Sequence, residues 1–131
     1  MIVDSSALVA IVKGEADAET LLESLLTVPR PAISAATLVE VSIVIDGTRD
    51  PVRVTRFEEL LASLELDVAP LTAAQATIAR QAYRDYGRDS GHPARLNLGD
   101  CFSYALAKER GEPLLYIGDD FARTDIASAS G

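Results

Sequence analysis

The sequence predicts an α/β fold in which a parallel sheet is covered by helices on both faces. Short apolar runs alternate along the chain with longer segments of helical periodicity, the order expected for strand-helix-strand units. A chain of 131 residues has the length of one ordinary domain, so we expect residues 1–131 to form a single domain. Apolar residues make up 48% of the chain and charged residues 24%, a balance typical of a globular protein.

Four short apolar runs are predicted to form the strands: residues 2–3, 32–33, 66–68 and 114–117. Asp4 directly follows the first run, and Asp119 and Asp120 follow the last. The carboxyl ends of parallel strands lie at one edge of a sheet, and ligands of such folds bind outside that edge. We therefore expect these three aspartates to lie at the same edge.

Helical patterns fill the segments between the strands. The first helix is expected after Asp4, because an Asp-Ser-Ser sequence favours a helix cap. Residues 38–45 contain only Glu40 and Ser42 as polar residues, which predicts a buried helix over 35–45. Paired leucines at helical spacing predict a helix over residues 17–27, and an i, i+3, i+4, i+7 apolar pattern predicts another over 57–64. A further helix is predicted over residues 72–86, where Thr72 and Gln75 could form a capping box at its start. The last predicted helix covers residues 98–110 and ends at Gly111.

Composition excludes several classes of function. A net charge of -8 argues against a broad basic surface of the kind that binds duplex DNA through many phosphates. The single cysteine, Cys101, allows neither an intramolecular disulfide nor a thiolate zinc site, and it favours a reducing cytoplasm. The apolar N-terminal stretch is too short to cross a membrane, so no membrane association is expected.

Acidic residues occur at four places in the sequence, either within an apolar helix or next to the end of a predicted strand or helix. They are Asp4, Glu40, Asp100 and the pair Asp119 and Asp120. If these groups converge, their mutual repulsion requires a cation, and their oxygen ligands favour Mg²⁺ or Mn²⁺. Each acid could instead have a purely structural role. Asp4 could be a helix cap, and Glu40 could form a salt bridge with an arginine. Asp100 could simply occupy the first turn of a helix after an Asn97 cap, and Asp119 and Asp120 could be turn or cap residues.

Four sequence blocks, taken together, resemble those of a known family. They are Asp4-Ser5-Ser6-Ala7-Leu8, Glu40 in an apolar helix, Leu98-Gly99-Asp100-Cys101-Phe102, and Leu114-Leu115-Tyr116-Ile117-Gly118-Asp119-Asp120-Phe121 followed by Thr124-Asp125-Ile126. In this order, and over essentially the whole chain, they resemble PIN-domain ribonucleases, and among these the VapC-type toxins of type II toxin-antitoxin pairs.

The resemblance implies a three-layer α/β/α PIN-like domain with a central parallel sheet of four or five short strands. It also implies Mg²⁺- or Mn²⁺-dependent endonucleolytic cleavage of RNA, often tRNA or rRNA, by water that the metal activates. Asp4 and Asp100 would be the principal metal ligands, and Glu40 would complete the acidic cluster. Many relatives have Asn-Asp-Phe at 119–121, so either Asp119 or Asp120 could supply the fourth acid. Ser6 matches the family's small hydroxyl residue beside the first aspartate, although a helix cap is an alternative role.

Further expectations concern partners. Arg84, Arg88 and Arg95 flank the loop 87–99, where they could hold an RNA backbone or could simply be solvated surface charges. The resemblance implies a small VapB-like antitoxin whose C-terminal segment covers the acidic site, and a homodimer formed through helical surfaces. The leucines at 21, 22, 25 and 26 could serve that interface or the core.

Two other functions remain open from the residues. A phosphatase or phosphotransfer domain of the α/β class also places acids at strand ends, but it needs a lysine at a strand end, and Lys13 and Lys108 both lie in helical segments. A binding module without catalysis would use the same acids as caps and salt-bridge partners.

Overall fold

The computed structural model describes residues 1–130 and contains ten regular elements and one 3-10 turn within them. In chain order these are β1 (Ile2–Val3), α1 (Ser5–Lys13), α2 (Ala18–Leu26), β2 (Ala32–Ser34), α3 (Ala35–Gly47), α4 (Pro51–Leu64), β3 (Asp67–Ala69), α5 (Ala73–Tyr86), α6 (Leu98–Arg110) and β4 (Leu114–Leu115), followed by a 3-10 turn at Phe121–Arg123.

The four strands form one parallel sheet in the order β3-β2-β1-β4. The chain builds β1, β2 and β3 towards one edge and then returns to add β4 on the other side of β1. The direction of winding therefore reverses between β1 and β4, where Val3 pairs with Leu115. Ligands of open parallel sheets bind at such a reversal, outside the carboxyl ends of the strands.

Two hydrophobic cores lie on the two faces of the sheet. Consecutive strand residues point to opposite faces, and the side chains of β1 and β4 divide in this way: Val3 and Leu115 pack with α1 to α4, whereas Ile2 and Leu114 pack with α5 and α6. This arrangement confirms the predicted three-layer α/β/α fold with a parallel sheet of four short strands.

Local capping signals define the ends of the helices. Side chains of Asp4, Ser34 and Asp50 accept hydrogen bonds from backbone N–H groups in the first turns of α1, α3 and α4. Thr72 caps α5 through the N–H of Gln75, but the Gln75 side chain donates to Glu109 instead of returning to Thr72, so only half of the predicted capping box forms. Gly111 ends α6 at a φ of 64°, a backbone region that favours glycine.

The prediction of a buried helix over residues 35–45 was wrong for the outer face of that helix. Val41 and Ile45 are buried in the core, but Val39, Ile43 and Val44 are exposed. A helix on the outside of a three-layer fold can bury only the stripe that faces the sheet, and apolar content alone does not reveal how many sides are covered. The leucines of α2 divide in a similar way, because Leu21 and Leu25 are buried in the core while Leu26 is exposed.

Smaller differences concern strand bounds and the chain end. The third strand lies one residue later than predicted, and the fourth is two residues long instead of four. Beyond the 3-10 turn the chain returns to the sheet, where Leu114 exchanges backbone hydrogen bonds with Ala127 and Ala129. No helix within residues 1–130 has the length and apolar character needed to cross a membrane.

Candidate active site

Asp4 lies at the carboxyl end of β1, at the point where the sheet reverses its winding. Its backbone N–H donates to the carbonyl of Leu115 at 3.0 Å, which holds it beside β4. Its carboxylate Oδ2 accepts from the N–H of Ser6 at 3.1 Å, so Asp4 is indeed the cap of α1. The residue is only 1% exposed, and burial raises the pKa of the carboxyl group, although hydrogen bonds from Ser103 and Ser6 oppose that shift.

Asp100 approaches Asp4 from the first turn of α6. The turn is held by a complete capping box, in which Asn97 accepts from the N–H of Asp100 at 2.9 Å and Asp100 accepts from the N–H of Asn97 at 3.0 Å. Burial raises the pKa of Asp100 to about 7, with further contributions from the nearby carboxylates of Asp4 and Asp120. Asp100 therefore does occupy a first-turn position after an Asn97 cap, as the structural alternative predicted, and its carboxylate also faces the other acids.

Glu40 reaches the same edge from α3. Burial raises the pKa of its carboxyl group, the negative charge of Asp4 adds to the effect, and a hydrogen bond with the Ser5 side chain opposes it. No Lys or Arg pairs with Glu40 within residues 1–130, so the alternative of a salt bridge to an arginine is not seen there. A Cβ built on Gly99 would overlap the carboxylate of Glu40, which shows that this carboxylate lies directly against the backbone of α6.

The two candidates for the fourth acid occupy different positions. Both are exposed in the turn between β4 and the 3-10 turn. Asp120 lies close enough to Asp100 for its negative charge to raise the pKa of Asp100. Within residues 1–130, neither Asp119 nor Asp120 forms a salt bridge. The structure thus brings together Asp4, Glu40, Asp100 and Asp120, and leaves Asp119 beside them in the turn.

Ser6 joins two of the elements that form the site. Its hydroxyl oxygen accepts from the backbone N–H of Ile117 at 3.1 Å, so it ties the start of α1 to the segment that follows β4. Its own N–H binds Asp4. Ser6 therefore helps to hold the Asp4 carboxylate next to the turn that carries Asp120.

The sequence analysis assigned no role to three residues that lie next to these acids or hold them in place: Gly99, Ser103 and Thr37. Ser103 donates from its hydroxyl to Asp4 Oδ1 at 2.5 Å, and its Oγ lies 3.3 Å from Oγ1 of Thr37. A signal existed in the helical spacing, because Ser103 is three residues after Asp100 and Thr37 three residues before Glu40. Residues at that spacing share one face of a helix.

The donor set fits a hard divalent cation. Carboxylate oxygens are the ligands that Mg²⁺ and Mn²⁺ prefer, and no basic side chain pairs with Asp4, Asp100 or Asp120 in the described part of the chain. Across residues 1–130, however, no three acidic, His or Cys side chains already converge as a formed metal-binding group. Carboxylates at close range repel one another until protons or a cation neutralise them, so these acids would bind a divalent cation favourably.

The three arginines predicted to contact RNA are exposed and surround the loop before α6. Arg84 is in the last turn of α5, and Arg88 and Arg95 lie at the two ends of the loop. The loop is closed by backbone hydrogen bonds from Arg88 to Leu96 and from Leu96 to Tyr86. Within residues 1–130 none of the three arginines pairs with an acid.

Comparison with known proteins agrees with this fold. The sequence model of the PIN domain family matches residues 1–127. Ribonuclease VapC42 of Mycobacterium tuberculosis is 52% identical over 130 residues, which cover 98% of each chain. Ribonuclease VapC28 of the same organism is 49% identical over 129 residues, which cover 98% of this chain and 97% of the relative.

Two solved structures share the fold. VapC20 of Mycobacterium tuberculosis, described as a sarcin-ricin loop cleaving toxin, superposes with a TM-score of 0.72 at 19% identity and covers 96% of this chain and 95% of its own. A toxin-antitoxin complex from Klebsiella pneumoniae superposes with a TM-score of 0.70 at 21% identity and covers 95% of this chain and 92% of the matched chain. The chain therefore belongs to the PIN-domain family and, within it, to the VapC ribonucleases.

Proposed function

We propose that the chain is a Mg²⁺- or Mn²⁺-dependent endoribonuclease, the toxin of a toxin-antitoxin pair, whose active site is the acidic cluster at the β1 and β4 edge. The observation that carries the proposal is the gathering of Asp4, Glu40, Asp100 and Asp120 at that edge without a basic partner in residues 1–130. Family membership and the ribonuclease names of the relatives support the same reaction.

Each acid has a proposed role. Asp4 and Asp100 would hold the cation, and Glu40 and Asp120 would complete its surroundings and accept hydrogen bonds from water. The bound cation would activate a water molecule and stabilise the charge that develops on the phosphodiester during in-line attack. We favour Asp120 over Asp119 as the fourth acid, because Asp120 interacts with Asp100.

Several groups of the chain hold this arrangement in place. The Ser6 N–H and the Ser103 hydroxyl each bind one oxygen of Asp4, and the Asn97 capping box holds Asp100. Groups that already have the correct orientation lose less free energy when they bind a cation or a substrate. The cluster therefore requires little rearrangement of the backbone.

The substrate is proposed to be a structured RNA such as tRNA or rRNA. A structural relative described as cleaving the sarcin-ricin loop supports this class. Arg84, Arg88 and Arg95 would contact phosphates of the RNA next to the site, which would offset the repulsion expected from a net charge of -8.

Two protein partners are also proposed. A VapB-like antitoxin would cover the site with a basic segment, since a cluster of unpaired carboxylates attracts cationic side chains as well as metal ions. A second copy of the chain would bind the exposed apolar face of α3, because an apolar face can pack against the same face of another copy across a two-fold axis. Action in the cytoplasm would keep Cys101, which is buried, reduced.

The test is cleavage of a total-RNA pool by antitoxin-free protein, with Mn²⁺ or with EDTA, followed by sequencing of the fragment ends. We expect discrete Mn²⁺-dependent cuts from the wild type, and a loss of at least 100-fold in Asp4→Asn, Asp100→Asn and Asp120→Asn. The cognate antitoxin should suppress the cuts. Asp17→Asn is the matched control for an exposed aspartate far from the site and should cleave like the wild type.

Asp119→Asn separates the two candidates for the fourth acid. Substantial activity in Asp119→Asn together with loss in Asp120→Asn would support the assignment to Asp120, and the reverse result would move the role to Asp119. Absence of cuts by folded wild-type protein would instead favour a binding module without catalysis.

A further inference from the structure

Two buried hydroxyl groups form a chain that ends on the carboxylate of Asp4. Ser103 Oγ donates to Asp4 Oδ1 at 2.5 Å, and Thr37 Oγ1 lies 3.3 Å from Ser103 Oγ. Both residues are completely buried. A buried hydroxyl without a hydrogen-bond partner is costly, so the two groups are held in their positions by each other and by Asp4.

The direction of these two hydrogen bonds follows from the number of hydroxyl protons available. An ionised carboxylate can only accept hydrogen bonds, so the single hydroxyl proton of Ser103 must be directed to Asp4. The Ser103 oxygen then acts as the acceptor for Thr37, whose hydroxyl proton points towards it. The two hydroxyl dipoles are therefore aligned, and each strengthens the other towards the carboxylate.

These hydrogen bonds also connect the three helices that carry the acids. Ser103 lies one turn after Asp100 on α6, Thr37 lies one turn before Glu40 on α3, and Asp4 begins α1. With Ser103 on Oδ1 and the Ser6 N–H on Oδ2, both oxygens of Asp4 are held. Without Ser103 the carboxylate could rotate about its side-chain bonds, away from the repelling charges of Asp100 and Glu40.

We propose that Ser103, supported by Thr37, is a positioning residue that fixes the Asp4 carboxylate in the orientation required to bind the divalent cation. This inference rests on the proposed function, because it assumes that Asp4 is a metal ligand. Groups that orient metal ligands in this way commonly contribute 10- to 100-fold to metal affinity. Ser103 and Thr37 themselves need not touch the metal or the RNA.

The experiment measures Mn²⁺ affinity by titration calorimetry, using the antitoxin-free full chain. Ser103→Ala removes the hydroxyl that binds Asp4 and should weaken Mn²⁺ binding by about 10-fold or more. Thr37→Val removes the second hydroxyl while nearly preserving side-chain shape, and should weaken binding by a smaller factor, about 3-fold. Thr37→Ser keeps the hydroxyl group and should bind Mn²⁺ with the wild-type affinity.

Thermal unfolding in EDTA provides the second measurement, because a purely structural role would lower the melting temperature and leave the affinity of the folded protein unchanged. Wild-type Mn²⁺ affinity in both Ser103→Ala and Thr37→Val would overturn the proposal. If Ser103→Ala does not fold, the comparison of Thr37→Val with Thr37→Ser decides, and equal affinities would overturn the role. A folded wild type that binds no Mn²⁺ would refute the metal site itself, which is a different result from loss of the positioning effect.

Discussion

Glycine at position 99 allows Glu40 to approach the other acids. The carboxylate of Glu40 lies where any larger residue at 99 would place its Cβ. The contact joins α3 to the first turn of α6, one residue before Asp100. The position of Glu40 therefore depends on the absence of a side chain on the opposing helix.

We expect Gly99→Ala to fold but to lose most of its cleavage activity. The methyl group would displace the Glu40 carboxylate, which is the end of a flexible side chain and can move without unfolding the protein. Alanine also favours a helix over glycine by up to about 1 kcal/mol, which offsets part of the steric cost. The measurement is the rate of RNA cleavage together with the thermal unfolding midpoint.

Gly47→Ala is the matched control for this change. Gly47 also lies in a helix, but apart from its chain neighbours and the backbone of its own helix no atom is within 4 Å of the position that a Cβ would take. This variant should cleave RNA at the wild-type rate and be equally or more stable. Full activity in Gly99→Ala would show that the position of Glu40 against Gly99 is not needed for cleavage.

At the scale of single elements, α3 carries the most unusual surface of the protein. Val39, Ile43 and Val44 are exposed on its outer side, and together with Leu98 they line an apolar groove of about 470 Å³ that also reaches Glu40. Exposed apolar patches of this kind commonly mark protein interfaces. The groove therefore supports the proposal that a second copy of the chain binds here.

We expect Ile43→Glu to convert a dimer into a monomer at micromolar concentration. Ile43 is 66% exposed, so the substitution should change the stability of the monomer little. At a two-fold interface it would bury a charge without a partner from each copy, which is strongly unfavourable. Size-exclusion chromatography with light scattering measures the mass.

Val52→Glu serves as the control, since Val52 is an exposed apolar residue on α4, outside the groove. This variant should retain the mass of the wild type. A wild-type protein that is already monomeric at these concentrations would contradict the proposed dimer, and the exposed face would then be free for another partner.

For the molecule as a whole, the acidic cluster links stability to pH. Burial raises the pKa of Asp100 to about 7 and raises the pKa values of Asp4 and Glu40 as well. A carboxyl group in the unfolded chain has a pKa of about 4, so between pH 4 and 7 the folded protein binds protons that the unfolded chain has released. The free energy of unfolding contributed by these groups is therefore greatest below pH 4 and falls as the pH rises through 7.

We expect the protein in EDTA to have a higher melting temperature at pH 5 than at pH 7.5, with a smaller difference in Asp100→Asn. The increase in melting temperature caused by Mn²⁺ should be larger at pH 7.5 than at pH 5, because Mn²⁺ competes with protons for the carboxylates. Thermal unfolding at both pH values checks both statements. An unchanged pH dependence in Asp100→Asn would contradict the role given to this carboxyl group.

Local sequence patterns determined the parts of this fold that depend on near neighbours. The cap at Asp4, the end of α6 at Gly111 and the periodicity of α4 could all be predicted, because capping and amphipathicity involve residues within about one turn of each other. The alternation of strands and helices likewise predicted the parallel sheet. Within the candidate site, the order and spacing of the blocks that resemble the family predicted Asp4, Glu40 and Asp100 as site acids, with either Asp119 or Asp120 as the fourth.

Tertiary structure decided what depends on residues far apart in the chain. Ser103 lies 99 residues from the Asp4 carboxylate that it binds, and no local pattern records that contact. The exposed face of α3 and the position of Glu40 against Gly99 depend on how helices pack, which apolar content does not reveal. In the same way, only the path of the turn after β4 distinguishes Asp120 from its neighbour Asp119. The sequence therefore determined the elements and the acids, whereas packing determined which groups hold those acids in place.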